Sequence, residues 1–173
     1  MTYKTFITTP RKTAPVILGI DPGTSRVGYG LIRGSGTPTL IDCGLLRVRS
    51  SPSSSLHHLH EIAQELERLI RKHRPAMVAV EKLYVAKNSK AALAIAQARG
   101  VILLAAERHG IPLAEYAPSS VKKAVTGYGA ADKKGVARMV KSILHVPKIE
   151  GPDDVTDALA VAITAAGEYR FHR

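Results

Sequence analysis

Two apolar runs, Val16–Ile20 and Val27–Ile32, are separated by the six residues Asp21-Pro22-Gly23-Thr24-Ser25-Arg26. A connection that short joins neighbouring antiparallel strands, so the chain is committed to a sheet from its start. A third apolar run, Leu40–Val48, follows a connection containing Gly and Pro and extends the pattern to a β-meander. The first strand ends abruptly in Asp21, which leaves three readings open. It is a turn residue, part of a glycine-rich phosphate loop, or a metal ligand at the mouth of the sheet.

The rest of the chain changes rhythm. After the loop Ser50–Ser55, whose last serines can cap a helix, Leu56, Leu59, Ile62/Ala63, Leu66 and Leu69/Ile70 recur at helical spacing. That helix closes on Arg71, Lys72, His73 and Arg74, which suit its negative end, and Pro75 stops it. His57, His58 and His60 at its start read as a solvated face, because sequence neighbours on a helix point in different directions. Met77–Val80 is a buried-type strand ending in a second acid, Glu81. An alanine-rich helix, Ser89–His109, is apolar on most sides and predicts burial on more than one face. Pro112–Ala117 reads as a strand and Pro118 opens a short helix that closes near Gly127. Asp132 caps a helix with the stripe Val136, Met139/Val140 and Ile143/Leu144. The last helix starts near Asp153 and carries Val155, Ala158/Leu159, Ala162/Ile163 and Ala166. The order β-β-β-α-β-α-β-α-α-α predicts an α/β fold with a mixed five-stranded sheet, three antiparallel strands then two parallel, flanked by helices. Residues 15–173 form one domain, and residues 1–14 read as a flexible basic leader.

With 25 Lys and Arg against 14 Asp and Glu, the formal charge is +11. An excess of that size is usual for a partner rich in phosphate, because each neutralised phosphate releases counterions. Two Phe and no Trp argue against a broad base-stacking platform. The single cysteine, Cys43, excludes an internal disulfide and a cysteine metal cluster. The most apolar stretch, Ala91–Ala106, is interrupted by Gln97, Arg99 and Gly100, so no membrane span is expected. The first fourteen residues lack the apolar core of a signal peptide, and a cytoplasmic location is expected.

Against that basic background four acids stand out. Asp21 and Glu81 each follow directly on an apolar strand, and open α/β sheets favour sites at the carboxyl ends of strands. Asp154 and Asp157, at i and i+3, share a helical face that continues into small apolar residues and so points inward. Asp153 is explained by capping and by the helix dipole, but Asp157 lies too far inside the helix for either. Four converging carboxylates repel unless cations sit between them, and oxygen-only donors suit Mg²⁺ or Mn²⁺. A pair of such ions can activate water and stabilise the leaving oxygen of a phosphodiester. The glycine loop lacks the Gly-Lys-Ser/Thr ending of a P-loop and runs into a strand rather than a helix. It resembles the first phosphate motif of the actin and sugar-kinase ATPases, but those enzymes need two such domains.

Four segments, ILGIDPGTSRVGYGLI, VEKLYVAKNSKAALAIAQARGVILLAA, EYAPSSVKKAVTGYGAADKKGVARMV and DDVTDALAVAITAA, resemble in order and spacing the RuvC family of Holliday junction resolvases. The resemblance runs from about Val16 to Ala166. It implies a ribonuclease H-like fold, a homodimer, and Mg²⁺-dependent nicking of two opposed strands of a four-way DNA junction, with two ions per active site and 5′-phosphate products. By position, the catalytic and metal-binding carboxylates fall on Asp21, Glu81, Asp154 and Asp157. Lys122 and Lys133 match lysines near the scissile phosphate, with Lys123 and Lys134 beside them, and Tyr84 matches an aromatic that stacks near the crossover. Lys82 departs from the family's usual glutamine. It and Lys87, in the polar loop that follows, are expected to contact DNA. Family membership further implies work beside the RuvA–RuvB branch-migration complex. The rival readings are a nuclease of the same fold acting on another nucleic acid, such as an RNA–DNA hybrid, and a non-catalytic junction binder.

Overall fold

The computed structural model of the chain describes residues 14–23, 25–49, 55–82 and 90–171. Ten elements follow in the expected order: β1 (Val16–Pro22), β2 (Val27–Arg33), β3 (Thr39–Leu45), α1 (Ser55–His73), β4 (Met77–Glu81), α2 (Lys90–Arg108), β5 (Leu113–Tyr116), α3 (Pro118–Thr126), α4 (Lys133–Leu144) and α5 (Asp153–Phe171). They build one five-stranded sheet in the order β3-β2-β1-β4-β5. β1 pairs antiparallel with β2 and parallel with β4, so it is the central strand. β2 pairs antiparallel with β3, and β4 pairs parallel with β5. The third strand ends at Leu45 rather than Val48. Its pairing shifts register beside Leu31/Ile32, and the Val48 N–H turns back to the Leu46 carbonyl instead of continuing the ladder.

The period of two along each strand divides the core. Val16, Leu18 and Ile20 of β1, Val27, Tyr29 and Leu31 of β2, and Val78 and Val80 of β4 share one core with the buried faces of α1 and α2. The intervening residues Ile17, Ile32 and Ala79 face the other way, onto α5. α5 is buried on most sides, with Val155, Ala158, Leu159, Ala160, Val161, Ala162, Ala165 and Ala166 at 2% exposure or less. α3 and α4 cover it with Val121, Val125, Val136, Val140 and Leu144.

The glycines of the opening stretch have a role that the sequence reading did not assign them. Gly19, Gly28 and Gly30 lie on the α5 face of β1 and β2, where Gly19 pairs with Gly30. A Cβ on Gly30 would lie 2.8 Å from Leu159 Cγ, and one on Gly19 would lie 2.6 Å from the Ala162 backbone nitrogen. On Gly28 it would overlap the Asp154 carbonyl. Missing side chains in the sheet and small ones in the helix let α5 descend onto the central strands. The space beside these glycines is filled by α5.

One further expectation is revised. His58 is buried at 6% exposure, so the histidines of α1 do not form one solvated face. α2 buries Ala98, Ile102, Ala105 and Ala106, yet exposes Leu93 at 64% and Leu104 at 56%. Its second apolar face therefore stays open in the single chain.

Candidate active site

Strand alternation brings the first two acids together. Ile17, Gly19 and Asp21 share the α5 face of β1, and Met77, Ala79 and Glu81 share that of β4. The parallel register pairs Gly19 with Ala79 and Ile20 with Val80, so Asp21 and Glu81 end neighbouring strands side by side. The first turns of α5 lie across the same end of the sheet, because Gly28, the partner of Asp21 in β2, leaves room for the Asp154 backbone. Asp154 and Asp157, one turn apart, complete the group.

The convergence has electrostatic consequences. Asp21 is pushed up to about 7 by burial, and then by the charges of Glu81, Asp157 and Asp154. Burial is also the largest influence raising Glu81, followed by Asp157. Asp157 is raised by burial and held back mainly by Lys133. Among the described residues, no three Asp, Glu, His or Cys side chains already stand in a metal-coordinating cluster. The nearest positive charge comes from the chain itself. Lys133 Nζ lies 3.8 Å from Asp157 Oδ2 and 3.4 Å from Asp153 Oδ2, and Arg26 Nε lies 3.5 Å from Asp154 Oδ2. The Lys133 ammonium is pushed up, chiefly by Asp157. Asp153 itself is an exposed acid in the first turn of α5, where it complements the dipole.

Beside the acids is a cavity of about 220 Å³ lined by Glu81, Pro118, Val121, Lys122, Lys133, Val136, Asp157 and Ala160. Both lysines predicted to lie near the reacting phosphate therefore share a wall with two of the four acids. α3 carries Lys122, and Lys133 opens α4, which is capped by the Asp132 side chain accepting from the Gly135 N–H. Lys82, Lys123 and Lys134 are exposed and do not line the cavity. Tyr84 and Lys87 lie outside the described residues, as does the leader up to residue 13. Arg26 was not singled out from sequence, because an arginine in a strand connection carries no signal until its partner is known. Four oxygen donors could hold a hard divalent cation, and the raised Asp21 marks where added positive charge would be stabilised.

A profile of the family described as Crossover junction endodeoxyribonuclease RuvC matches residues 17–165. The chain belongs to the RuvC family. It is 45% identical over 161 residues to the Crossover junction endodeoxyribonuclease RuvC of Pelotomaculum thermopropionicum, covering 91% of this chain and 96% of that protein. The structure of Thermus thermophilus RuvC in complex with Holliday junction substrate superposes with a TM-score of 0.83, at 31% identity, covering 91% of this chain and 96% of that one. The yeast mitochondrial Holliday junction resolvase Ydc2, at 17% identity and a TM-score of 0.62, shares the fold. This RuvC relative thus has the ribonuclease H-like sheet expected of it, and no helix among its described residues is long and apolar enough to cross a membrane.

Proposed function

We propose that the chain resolves Holliday junctions, nicking two opposed strands at the crossover with divalent metal bound by Asp21, Glu81, Asp154 and Asp157. The observation that carries this reading is the meeting of opposite charges at one end of the sheet. Four mutually repelling acids lie in a chain of net charge +11, with Lys122 and Lys133 at their rim. The acids alone would repel a phosphodiester, so the site fits its substrate only when its own charge is neutralised. Mg²⁺ held by these four carboxylates, two ions per site, would supply that neutralisation and would acidify a water for attack on the phosphodiester, leaving 5′-phosphate ends.

The protein's own residues do the rest. Asp21 and Glu81, held by strand pairing, and Asp154 and Asp157, on one face of a buried helix, bring four oxygen donors to one end of the sheet. Lys122 and Lys133 hold the non-bridging oxygens of the reacting phosphate. The exposed Lys82, Lys123 and Lys134 bind neighbouring phosphates and read backbone shape rather than bases. Tyr84 keeps the role that the family pattern gives it, stacking near the crossover, and Lys87 that of a backbone contact expected from its polar, basic loop. Two sites facing opposed strands require two copies, and the open apolar face of α2 with Leu93 and Leu104 is the surface that suits a twofold partner. Action in the cytoplasm beside the branch-migration complex RuvA–RuvB follows from the family.

The test is substrate choice. Purified protein is incubated with a synthetic four-way junction, a linear duplex of the same sequences, and an RNA–DNA hybrid, each with Mg²⁺ and with EDTA. Junction-selective nicking in Mg²⁺, with binding alone in EDTA, is expected. Equal cutting of the linear duplex, or preference for the hybrid, would overturn the reading.

A further inference from the structure

Among the described aromatic side chains, Tyr128 alone belongs to neither core. Tyr29 and Tyr116 are buried and Tyr169 packs against the second core, whereas Tyr128 is 67% exposed. Its backbone is nevertheless tightly built. The Thr126 hydroxyl donates to the Lys122 carbonyl at 2.8 Å and accepts from the Tyr128 N–H at 3.1 Å. Gly127, in the left-handed region at φ 80, ends α3 with its N–H on the Lys123 carbonyl. Gly129 lies so close to α3 that a Cβ there would be 3.2 Å from the Ser119 carbonyl. A well-pinned turn thus presents an aromatic ring to solvent, and leaving that ring in water has no stabilising role in the fold.

The surroundings indicate what the ring meets. The turn links α3 to α4, and Thr126 ties it directly to Lys122, which lines the cavity beside Glu81 and Asp157. On its other side the chain leads within five residues to Lys133, on the same cavity. Between Pro118 and Gly135 the sequence carries four lysines and one acid, Asp132, whose carboxylate caps α4. An exposed ring on a turn flanked in sequence by lysines combines the two features that recognise a nucleic-acid strand, a positive field for phosphates and a flat apolar face for a base or sugar. We infer that Tyr128 stacks on a nucleotide of the junction strand next to the phosphate being cut, and so helps to select where the strand is nicked. This rests on the junction-nuclease reading above.

The experiment compares wild type with Tyr128→Ala and Tyr128→Phe. It measures four-way junction binding in EDTA, nick position and rate in Mg²⁺, and fluorescence of a 2-aminopurine placed beside the cut phosphate. Melting temperatures establish that each variant is folded. Tyr128→Ala is expected to weaken binding or cutting by about 5- to 150-fold, the size of one lost stacking contact. It should also blur the nick position and lose the fluorescence quench seen with wild type. Tyr128→Phe, which keeps the ring, should stay within about twofold on all three measures. If wild type cuts the junction and Tyr128→Ala matches it in rate, position and quench, the inference is wrong. It is also wrong if Tyr128→Phe loses as much as Tyr128→Ala, since the hydroxyl rather than the ring would then be responsible. Failure of wild type to bind or cut the junction overturns the nuclease reading itself.

Discussion

Gly28 lies directly against the backbone of Asp154: a Cβ at Gly28 would overlap the Asp154 carbonyl oxygen, and it would stand 3.2 Å from the Asp154 Cβ. Gly28 is also the strand partner of Asp21. One missing side chain therefore sets the distance between a central-strand acid and the helix that carries two others. Gly28→Ala has to push the start of α5 away from the sheet, because the obstacle is backbone and cannot rotate aside. Overpacking of this kind destabilises by ~1–3 kcal/mol. Junction cleavage should fall further, by about 100-fold or more, since an ångström of misplacement of a reacting group is costly. Melting temperature and cleavage rate check this together; a variant that loses stability but keeps wild-type turnover would separate Gly28 from the site geometry.

Asp21 makes the site a source of instability in the absence of metal. Its native pKa of about 7 exceeds the ordinary value of 3.8, so the folded chain holds this proton more tightly than the unfolded chain. Between about pH 4 and pH 7 the folded state binds more protons, so stability falls as pH rises through that window, and the penalty is complete above it. Asp21→Asn removes the charge and should raise the melting temperature at pH 8 in EDTA by about 3–6 °C, equivalent to ~1–2 kcal/mol. At pH 4 the two proteins should melt within a degree or so of one another. An equal gain at both pH values would show that the charge is not the cause.

Lys133 counters the acids from the rim of the cavity, chiefly Asp157. Lys133→Met removes a charge that lowers the proton affinity of Asp21, Glu81 and Asp157. The acid limb of the pH–rate profile should therefore move to higher pH. Cleavage at neutral pH should fall by about 10- to 100-fold while junction binding changes only a few-fold. A profile that keeps its acid limb would remove Lys133 from the electrostatics of the site.

Much of the site is readable without coordinates because a strand has a period of two. Counting from Ile17 through Gly19 to Asp21, and from Met77 through Ala79 to Glu81, puts both acids on one face at strand ends, and spacing of three does the same for Asp154 and Asp157. The element order is equally plain, since Pro75, Gly110 and Pro118 punctuate it. The glycines are another matter. A glycine in a strand signals that something comes close, but Leu159, Ala162 and Asp154 are more than a hundred residues away in the chain. Only the packed fold identifies α5 as the neighbour. Arg26 escapes for the same reason, and His58 because one buried position among three clustered histidines cannot be picked out before the helix is docked.

The exposed leucines of α2 test the assembly. Leu104→Asp places a charge on the apolar face and should convert a dimer to a monomer at micromolar concentration, as read by light scattering after size exclusion. Cutting of the junction on both strands should be lost with it. A wild-type protein that runs as a monomer, or a Leu104→Asp protein that stays dimeric, would remove α2 from the interface.

The most direct measurement uses a supercoiled plasmid with an extruded cruciform, where two opposed nicks made in one encounter give a linear product and isolated nicks give an open circle. With Mg²⁺ the wild-type protein should give mainly linear product, in EDTA none, and Asp21→Asn should bind the cruciform yet leave it uncut. Linear product from wild type in EDTA, or from Asp21→Asn at the wild-type rate, would contradict a metal-dependent resolvase built on these four acids.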